Sequence, residues 1–340
     1  MRLHRKERLF ENQADIIAAY ESGFAGAYRD TAATIRLAEN IEDRGGYSDG
    51  ASACHAAGFE GAGAGKLSLP FMAAMQLYPG VLPGGRQERG DCVSWSSRTA
   101  GTVSYCASLV YGANAARNDA PVASPTAIAN GLFSTESWWW QRGYDGDGWN
   151  CSAAADVGLK SAGLVLRQNY PDLGINLTEY SISNTSRYGR TPPPGEVRAM
   201  TSKYLLQNAT VCNTWEQVRD MLANGYALST CGGESWSHTR DENGVCRRTP
   251  QGWAHAIAAI AADDREITRK KYGCGLVLMQ NSWLEYMTGS RRILGTDLEI
   301  PLGSFWSRWD DAADRVFIAF STGKGWTANR LPDWGLGGIV

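Results

Sequence analysis

Short apolar runs of strand length mark the second half of this chain, and they limit its fold more than any other feature. The runs cover residues 226–231, 254–261, 275–279 and 315–320. Each run is shorter than a typical helix, and turn residues such as Asn224-Gly225 lie at their ends. The second half of the chain is therefore predicted to form a sheet.

The first half carries patterns that are typical of helices. Cys92–Tyr111 places apolar residues near one face, and a further helix is predicted over residues 152–160, ending at Gly163. Residues 1–45 are predicted to form one or two polar helices, and the Gly- and Ala-rich stretch 45–65 to form a loop or linker. Because helices come first and strands second, the predicted fold class is α+β with two lobes.

The run Pro192-Pro193-Pro194-Gly195 predicts a break between the lobes. Three parts follow from this division. Residues 1–84 form an N-terminal extension of helices and a Gly-rich linker. Residues 85–205 form a helical lobe, and residues 206–340 form a β lobe.

Charge and composition exclude several classes of partner. The 340 residues have a net charge of −2, so no basic field attracts nucleic acid or an anionic membrane. No apolar run is long enough to span a bilayer. The basic start is followed by Glu11-Asn12-Gln13, where a signal peptide needs an apolar core. We expect no nucleic acid, no membrane and no signal peptide, and a cytoplasmic location.

Neither a metal nor a cofactor is expected. The eight cysteines include no CxxC pair, which argues against structural zinc. Their thin spread favours mostly free thiols in a reducing compartment, with a disulfide or two left open. Residues 61–66 superficially resemble a phosphate loop, but Glu60 and Leu67 stand where that motif needs Gly and Ser or Thr.

Cys92 is the candidate nucleophile. It begins a predicted helix, with Asp91 at the N-cap position, and a thiol ionises more readily when a helix N-terminus and a base lie beside it. His255 is one of four histidines and lies inside a predicted apolar strand. The next strand ends at Asn281, which can fix the imidazole tautomer, followed by Trp283, which can shield that hydrogen bond from water.

The order of these motifs resembles the papain family of cysteine peptidases. Cys92 comes first, then His255-Ala256 after Gly252-Trp253, then Asn281-Ser282-Trp283. The resemblance covers roughly residues 85 to 325 and is closest to a divergent branch associated with bacteriophage and bacterial genomes. It implies a papain-like two-lobe fold, with a helical lobe and an antiparallel β-barrel-like lobe. It also implies hydrolysis of peptide bonds in a protein or peptide substrate, and it adds a phage virion to the cytoplasm as an expected location.

Further site residues follow from this resemblance. Gln87 stands where the family has its oxyanion-hole glutamine, and Trp283 supports the His–Asn pair. The Gly-rich stretch 143–148 resembles one wall of the substrate cleft. The implied substrate-binding residues are Gly146, Asp147, Gly148, Trp149 and Ala254.

The chain departs from the family pattern in three respects. Asp91-Cys92-Val93-Ser94-Trp95 replaces the usual Cys-Gly-Ser/Ala-Cys-Trp around the nucleophile, and Gln87 lies one residue nearer to Cys92 than usual. The segment between His255 and Asn281 is longer than usual, and its charged residues 263–271 are predicted to form a hairpin loop.

Two other functions stay open on the sequence. One is a cysteine amidase that cuts peptidoglycan, of the NlpC or CHAP type, since those domains also place an Asp or Gly-Asp before the cysteine. The other is a catalytically weak or inactive structural protein of a phage particle. The extension 1–84 is interpreted as an assembly arm for a virion or other partner, as an inhibitory pro-segment, or as a cap on the cleft.

Overall fold

The fold is built around a sheet whose strands come from distant parts of the chain. The computed structural model describes residues 47–113, 116–143, 147–323 and 325–336. In these ranges the strands are β1 (Tyr47–Asp49), β2 (Leu67–Ser68), β3 (Asn169–Tyr170), β4 (Ile175–Asn176), β5 (Asn208–Cys212), β6 (Leu228–Trp236), β7 (Thr239–Arg240), β8 (Arg248–Asp263), β9 (Leu276–Gln280), β10 (Thr288–Gly289), β11 (Ser304–Arg308) and β12 (Val316–Ser321).

The helices mostly precede the strands that form the centre of the sheet. Over the same described ranges they are α1 (Gly50–Ala57), α2 (Phe71–Leu77), α3 (Cys92–Tyr111), α4 (Pro125–Ala129), α5 (Glu136–Trp139), α6 (Cys151–Lys160), α7 (Ile182–Thr185), α8 (Gly195–Thr201), α9 (Trp215–Ala223), α10 (Glu266–Tyr272) and α11 (Trp309–Ala312). None of the helices in the described part of the chain has the length and apolar character to cross a membrane.

The main sheet has eight strands in the order β1-β5-β12-β6-β8-β9-β11, with β2 added to β8. Neighbouring strands are antiparallel except for the parallel pair β1–β5. The predicted α+β class, with a helical half followed by an antiparallel sheet, is confirmed. The sheet brings His255 on β8 and the end of β9 to adjacent positions.

The long helix α3 is buried on almost all sides. Val93, Ala100, Val103 and Ala107 all lie in the core, and polar side chains of the helix bind the sheet. A helix that is buried all round belongs at the centre of a protein. Its first residue, Cys92, is therefore fixed by packing against both halves of the fold.

β6 and β8 are longer than the runs predicted for them. The predictions covered residues 226–231 and 254–261, whereas the pairing continues through Ser235 and Thr249. The hydroxyl groups of these two residues are 2.6 Å apart. Polar side chains that form hydrogen bonds with each other can thus extend a strand beyond its apolar residues. A prediction from apolar periodicity does not detect such an extension.

The stretch 45–65 was predicted as a loop or linker, and this is wrong for its middle part. Residues Gly50–Ala57 form α1, which begins where the Asp49 carboxylate accepts a hydrogen bond from Ser52 N at 2.9 Å. The helix ends at Gly58, in the left-handed conformation that glycine adopts without strain. Small residues weakened the helical pattern, but the caps at both ends are strong.

The Gly-rich loop after α1 binds carboxylates of the protein itself. Gly61 N and Gly63 N donate to the two oxygens of Asp220, at 2.8 and 3.0 Å, and Gly65 N donates to Asp264 Oδ2 at 2.8 Å. A run of backbone N–H groups is a general anion site. Here both carboxylates are buried, so the stretch that resembles a phosphate loop binds acidic side chains of the protein itself and stabilises the fold.

The predicted hairpin loop over residues 263–271 is also wrong. Glu266–Tyr272 forms a helix, which begins with the acidic Glu266 and has basic residues in its last turn. This distribution favours a helix because it complements the helix dipole, and Gly273 ends it in the left-handed conformation.

The structure describes the second part of the predicted extension 1–84 and not the first. Residues 1–46, where one or two polar helices were predicted, lie outside the described residues. Residues from 47 onward join the core: β1 pairs with β5, β2 pairs with β8, and Phe59 and Phe71 are buried. The division of the chain at residue 84 and the role of the extension stay predictions.

Candidate active site

Cys92 is the first residue of α3 and has no exposed surface. Its neighbour Asp91 occupies the N-cap position, as predicted, but its side chain does not cap the helix. The carboxylate instead accepts hydrogen bonds from Trp95 Nε1 and from the Tyr180 hydroxyl, both at 3.1 Å. Asp91 contributes its main-chain oxygen instead, which accepts from Ser94 N at 2.9 Å. Cys92 lies at the positive end of the α3 dipole, which favours a negative charge.

The electrostatic state of Asp91 matters because it adjoins the candidate nucleophile. Burial raises the pKa of the Asp91 carboxyl well above its ordinary value, against a smaller opposing effect of Arg89. A carboxylate next to a cysteine opposes thiolate formation, since like charges repel. A carboxyl that is neutral over a wider pH range opposes it less.

His255 and Asn281 form a buried hydrogen-bonded pair. His255 Nε2 lies 3.0 Å from Asn281 Oδ1, and Ser282 N donates to the same oxygen at 2.7 Å. Because Oδ1 accepts from an N–H of the main chain, it is an acceptor toward the ring as well, so Nε2 carries the proton. Nδ1 is then the basic nitrogen of the neutral ring.

Trp283 completes this pair from one side. Its indole stacks on the His255 ring with the ring centres 4.2 Å apart and the planes 25° from parallel. Both side chains and Asn281 are buried. The stacking fixes the plane of the imidazole and excludes water from the His–Asn hydrogen bond, which strengthens that bond.

The direction of α3 relative to the sheet follows from two hydrogen bonds. Ser96 Oγ donates to Ile257 O on β8 at 2.7 Å, and Ala227 N, just before β6, donates to Ser104 Oγ at 2.9 Å. β6 is antiparallel to β8. The start of β6, next to Ser104, therefore lies beside a later part of β8 than Ile257, which contacts Ser96. Since Ser104 also comes later than Ser96 in α3, the helix and β8 run in the same direction.

This direction relates the position of Cys92 to that of His255. Cys92 lies one helical turn before Ser96, which is about 6 Å along the helix axis. His255 lies two residues before Ile257, which is about 7 Å along the strand. Since Ser96 contacts Ile257, a similar step back along both elements leads to residues Cys92 and His255 at a similar level.

Gln87 connects the segment before Cys92 to the segment after Asn281. Its Oε1 accepts from Ser282 Oγ at 2.5 Å and from Trp283 Nε1 at 3.2 Å, and its main-chain N donates to Ser282 O at 2.9 Å. Its Nε2 donates to Arg89 O at 2.6 Å. The amide is therefore oriented with its oxygen toward Trp283 and its nitrogen toward the chain that leads into Cys92.

The predicted substrate-binding segment adjoins the residues before the nucleophile. Gly148 N donates to Gly90 O at 2.8 Å, and Arg142 donates to Gly148 O at 3.0 Å. Asp147 forms an ion pair with Arg89 at 2.7 Å. The structure thus places Asp147 and Gly148 beside the loop that ends at Cys92, with their polar groups engaged within the protein.

Three further residues were predicted to bind substrate: Trp149, Ala254 and Gly146. Trp149 is buried and meets Trp139 edge-on, with ring centres 6.3 Å apart, so it packs beneath this segment. Ala254 belongs to β8, directly before His255, and its side chain lies outside the described residues. Gly146 also lies outside the described residues.

A disulfide crosses the fold close to the candidate site. Cys151, at the start of α6, bonds to Cys231 on β6, and the remaining six cysteines are free thiols. Cys231 directly precedes Gly232, which pairs with His255 across the two strands. The open question of a disulfide is thereby answered with one bond, which the thin spread of cysteines in the sequence could not locate.

Sequence reasoning missed two arginines at the site. Arg89 pairs with Asp147, and Arg315 donates to the main-chain oxygen of His255 at 2.5 Å. Neither carries a sequence signal, because each partner is distant in the chain. No group of three or more His, Cys, Asp or Glu residues in the described ranges could hold a metal ion.

Comparisons with known proteins give limited likenesses. No protein-family model matches the chain, and no curated protein matches it in sequence. Among solved structures, xylellain, a cysteine protease from Xylella fastidiosa, is 12% identical, with 74% of this chain and 89% of that chain covered and a TM-score of 0.44. ProCathepsin B S9 from Trypanosoma congolense is 9% identical, with 75% and 77% covered and a TM-score of 0.45. Both are papain-like cysteine proteases.

Proposed function

We propose that this chain hydrolyses peptide bonds, with Cys92 as nucleophile and His255 as base. The observation that carries the proposal is the His255–Asn281 pair. The hydrogen bond from Nε2 to Asn281 leaves Nδ1 as the base nitrogen, on a ring level with a cysteine at a helix N-terminus. Those are the conditions that convert a thiol into a thiolate.

The reaction proceeds in two halves. The Cys92 thiolate attacks the carbonyl carbon of the substrate, and the oxygen of that carbonyl takes up the negative charge. His255, protonated at Nδ1, gives this proton to the leaving amine as the C–N bond breaks and a thioester remains. His255 then removes a proton from water, the hydroxide attacks the thioester, and the acid product leaves with Cys92 restored.

Gln87 and the backbone N–H of Cys92 are the proposed donors to the oxyanion. Gln87 is held by Ser282 and Trp283 through its oxygen, so its NH₂ group keeps a fixed direction toward the loop before Cys92. One donor of this kind contributes about 3 kcal/mol to stabilisation of the transition state. Cys92 is buried, so a substrate must displace the groups above the sulfur before the two can react.

Peptide hydrolysis by the full chain tests this proposal. We expect the wild type to cleave members of a fluorogenic peptide library at neutral pH, and Cys92→Ala to lose at least about a thousandfold in kcat/KM, since no other group supplies the nucleophile. Cys274→Ala removes a free thiol outside the site and serves as the matched control.

The two alternative functions give different results in the same assay. A peptidoglycan amidase would cleave muropeptides in a Cys92-dependent manner and leave the peptide library intact. A structural protein without turnover would cleave neither substrate while remaining folded by circular dichroism. Either result would replace the peptidase proposal.

A further inference from the structure

We propose that Arg315 is a positioning residue that fixes the candidate base His255 through the main chain. This inference extends the peptidase function proposed above and rests on it. Arg315 Nη2 donates to His255 O at 2.5 Å, and Arg315 Nε donates to Thr230 Oγ1 at 2.6 Å. The arginine therefore joins β8 to β6 at the level of His255.

The guanidinium is placed in a site that is built to hold a charge. The Arg315 side chain has no exposed surface, and Glu234 Oε2 lies 3.4 Å from its Nη1. The guanidinium also lies over the Trp236 ring, 5.4 Å from its centre. A buried cation requires a counter-charge and full hydrogen bonding, and Glu234, Thr230 and the carbonyl of His255 meet that need.

The strands give a reason why His255 needs such a support. After the pair Gly232↔His255, the next pair is Glu234↔Gly252, so β6 advances by two residues while β8 advances by three. An irregularity of this kind interrupts the regular ladder of hydrogen bonds and changes the direction of nearby side chains. The main chain at His255 is therefore less fixed by strand pairing than its neighbours, and Arg315 supplies a rigid donor there.

Gly232 shows that the space opposite His255 is reserved for this ion pair. A Cβ atom on Gly232 would lie 2.2 Å from Glu234 Oε2 and 2.7 Å from Arg315 Cγ. Any larger residue would displace the guanidinium or its carboxylate. The absence of a side chain at this position lets the arginine reach the carbonyl of His255.

The expected consequence concerns the direction of the imidazole. His255 must keep its hydrogen bond to Asn281 and its stacking on Trp283 while Nδ1 serves Cys92. A displacement of about 1 Å at such a site reduces reactivity by about a hundredfold. The hydrogen bonds of Arg315 described above go to β6 and to the main chain of His255, so we assign it an effect through the position of His255.

The test compares Arg315→Gln with Arg265→Gln. Arg265 is a matched control: it is also buried, it pairs with a carboxylate (Asp263, 2.7 Å), and it also donates to a main-chain oxygen (Leu294 O, 2.8 Å). It lies just after the C-terminal end of β8, whereas His255 is in the middle of that strand. Three readouts are measured for each variant: the melting temperature, the rate of Cys92 alkylation by iodoacetamide against pH, and the ¹⁵N shifts of the His255 ring, identified by their loss in His255→Ala.

We expect both variants to melt earlier, and only Arg315→Gln to slow Cys92 alkylation at pH 7, by about tenfold or more. We also expect the His255 ¹⁵N shifts to change from those of the doubly protonated imidazolium to those of neutral tautomers only in Arg315→Gln. Arg315→Lys keeps the charge and one donor, and it should recover part of the rate. Equal loss of melting temperature in both variants, with unchanged alkylation and ring shifts in Arg315→Gln, would overturn the proposal.

A second variant, Glu234→Gln, tests the proposal if Arg315→Gln does not fold. Glu234→Gln keeps the guanidinium and removes its counter-charge, and we expect a slowing of about threefold in alkylation; no change would contradict the inference. A failure of the peptidase function is distinguishable from these results. In that case wild-type protein cleaves no peptide, while Arg315→Gln still changes the His255 ring shifts.

Discussion

Replacing His255 by Ala will slow the alkylation of Cys92 at pH 7 by about thirtyfold, because an ordinary thiol with a pKa near 8.5 is only about 3% ionised at that pH. Peptide hydrolysis will fall further, by at least about a thousandfold, since the proton donor to the leaving amine is lost as well. The rate of alkylation of wild-type protein should change little between pH 6 and 8, whereas that of His255→Ala should rise steeply over the same range. Iodoacetamide modification followed by peptide mass spectrometry measures both rates.

The matched control for this experiment is His55→Ala. His55 is exposed and forms an ion pair with the exposed Glu60, at 3.3 Å, so its loss should leave the alkylation of Cys92 unchanged. An equal rate and an equal pH profile in wild type and His255→Ala would show that His255 does not activate the thiol.

Replacing Asp220 by Ala will lower the free energy of unfolding by about 3–5 kcal/mol, the cost of removing one partner from a buried charged pair. Asp220 accepts from Gly61 N at 2.8 Å and Gly63 N at 3.0 Å, and Arg219 Nε donates to it at 2.8 Å. All of these donors lose a buried acceptor in the variant. Urea unfolding of the full chain at pH 7 measures the change.

Asp156→Ala is the control for this stability measurement. Asp156 pairs with Lys160 at 3.2 Å across one turn of α6, where both side chains reach solvent, and such pairs contribute less than about 0.5 kcal/mol. Equal losses in the two variants would mean that the Gly-rich loop is not held by Asp220. A large difference would establish that residues 61–63 are part of the folded core.

The sequence was sufficient to predict the elements that carry the candidate site. Cys92 at a helix start, His255 in a strand and Asn281 after the next strand depend on local patterns, so each could be placed without a structure. Gln87 was named from the resemblance to the papain family, and its side chain contacts Ser282 and Trp283, the residues that follow Asn281. Their catalytic roles stay predictions.

Long-range contacts could not be predicted in the same way. The ion pairs Arg89–Asp147 and Arg315–Glu234 join residues far apart in the chain, and single charged residues look alike in a sequence. The Gly-rich stretch was interpreted as a linker because its partner, Asp220, lies about 160 residues later. Sequence patterns report local preference, whereas these contacts depend on which elements the fold brings together.

A virion location and the assembly role of residues 1–84 stay predictions from the resemblance to the papain family. Detection of the protein in purified phage particles by mass spectrometry would support them. A purely intracellular distribution would argue against them.

The reactivity of individual thiols tests the central claim most directly, because the chain contains its own controls. Burial raises the pKa values of four other free thiols above the ordinary value: Cys54, Cys106, Cys212 and Cys246. A fifth, Cys274, is half-buried and reports background labelling. These thiols lack the combination of a helix N-terminus and an adjacent imidazole that is proposed for Cys92.

The measurement is treatment of the full chain with a papain-type epoxide inhibitor at neutral pH, followed by mapping of the adduct by peptide mass spectrometry. We predict a single adduct on Cys92, which disappears in His255→Ala. An adduct spread over several cysteines, or no adduct on folded protein, would contradict the assignment of Cys92 as an activated nucleophile.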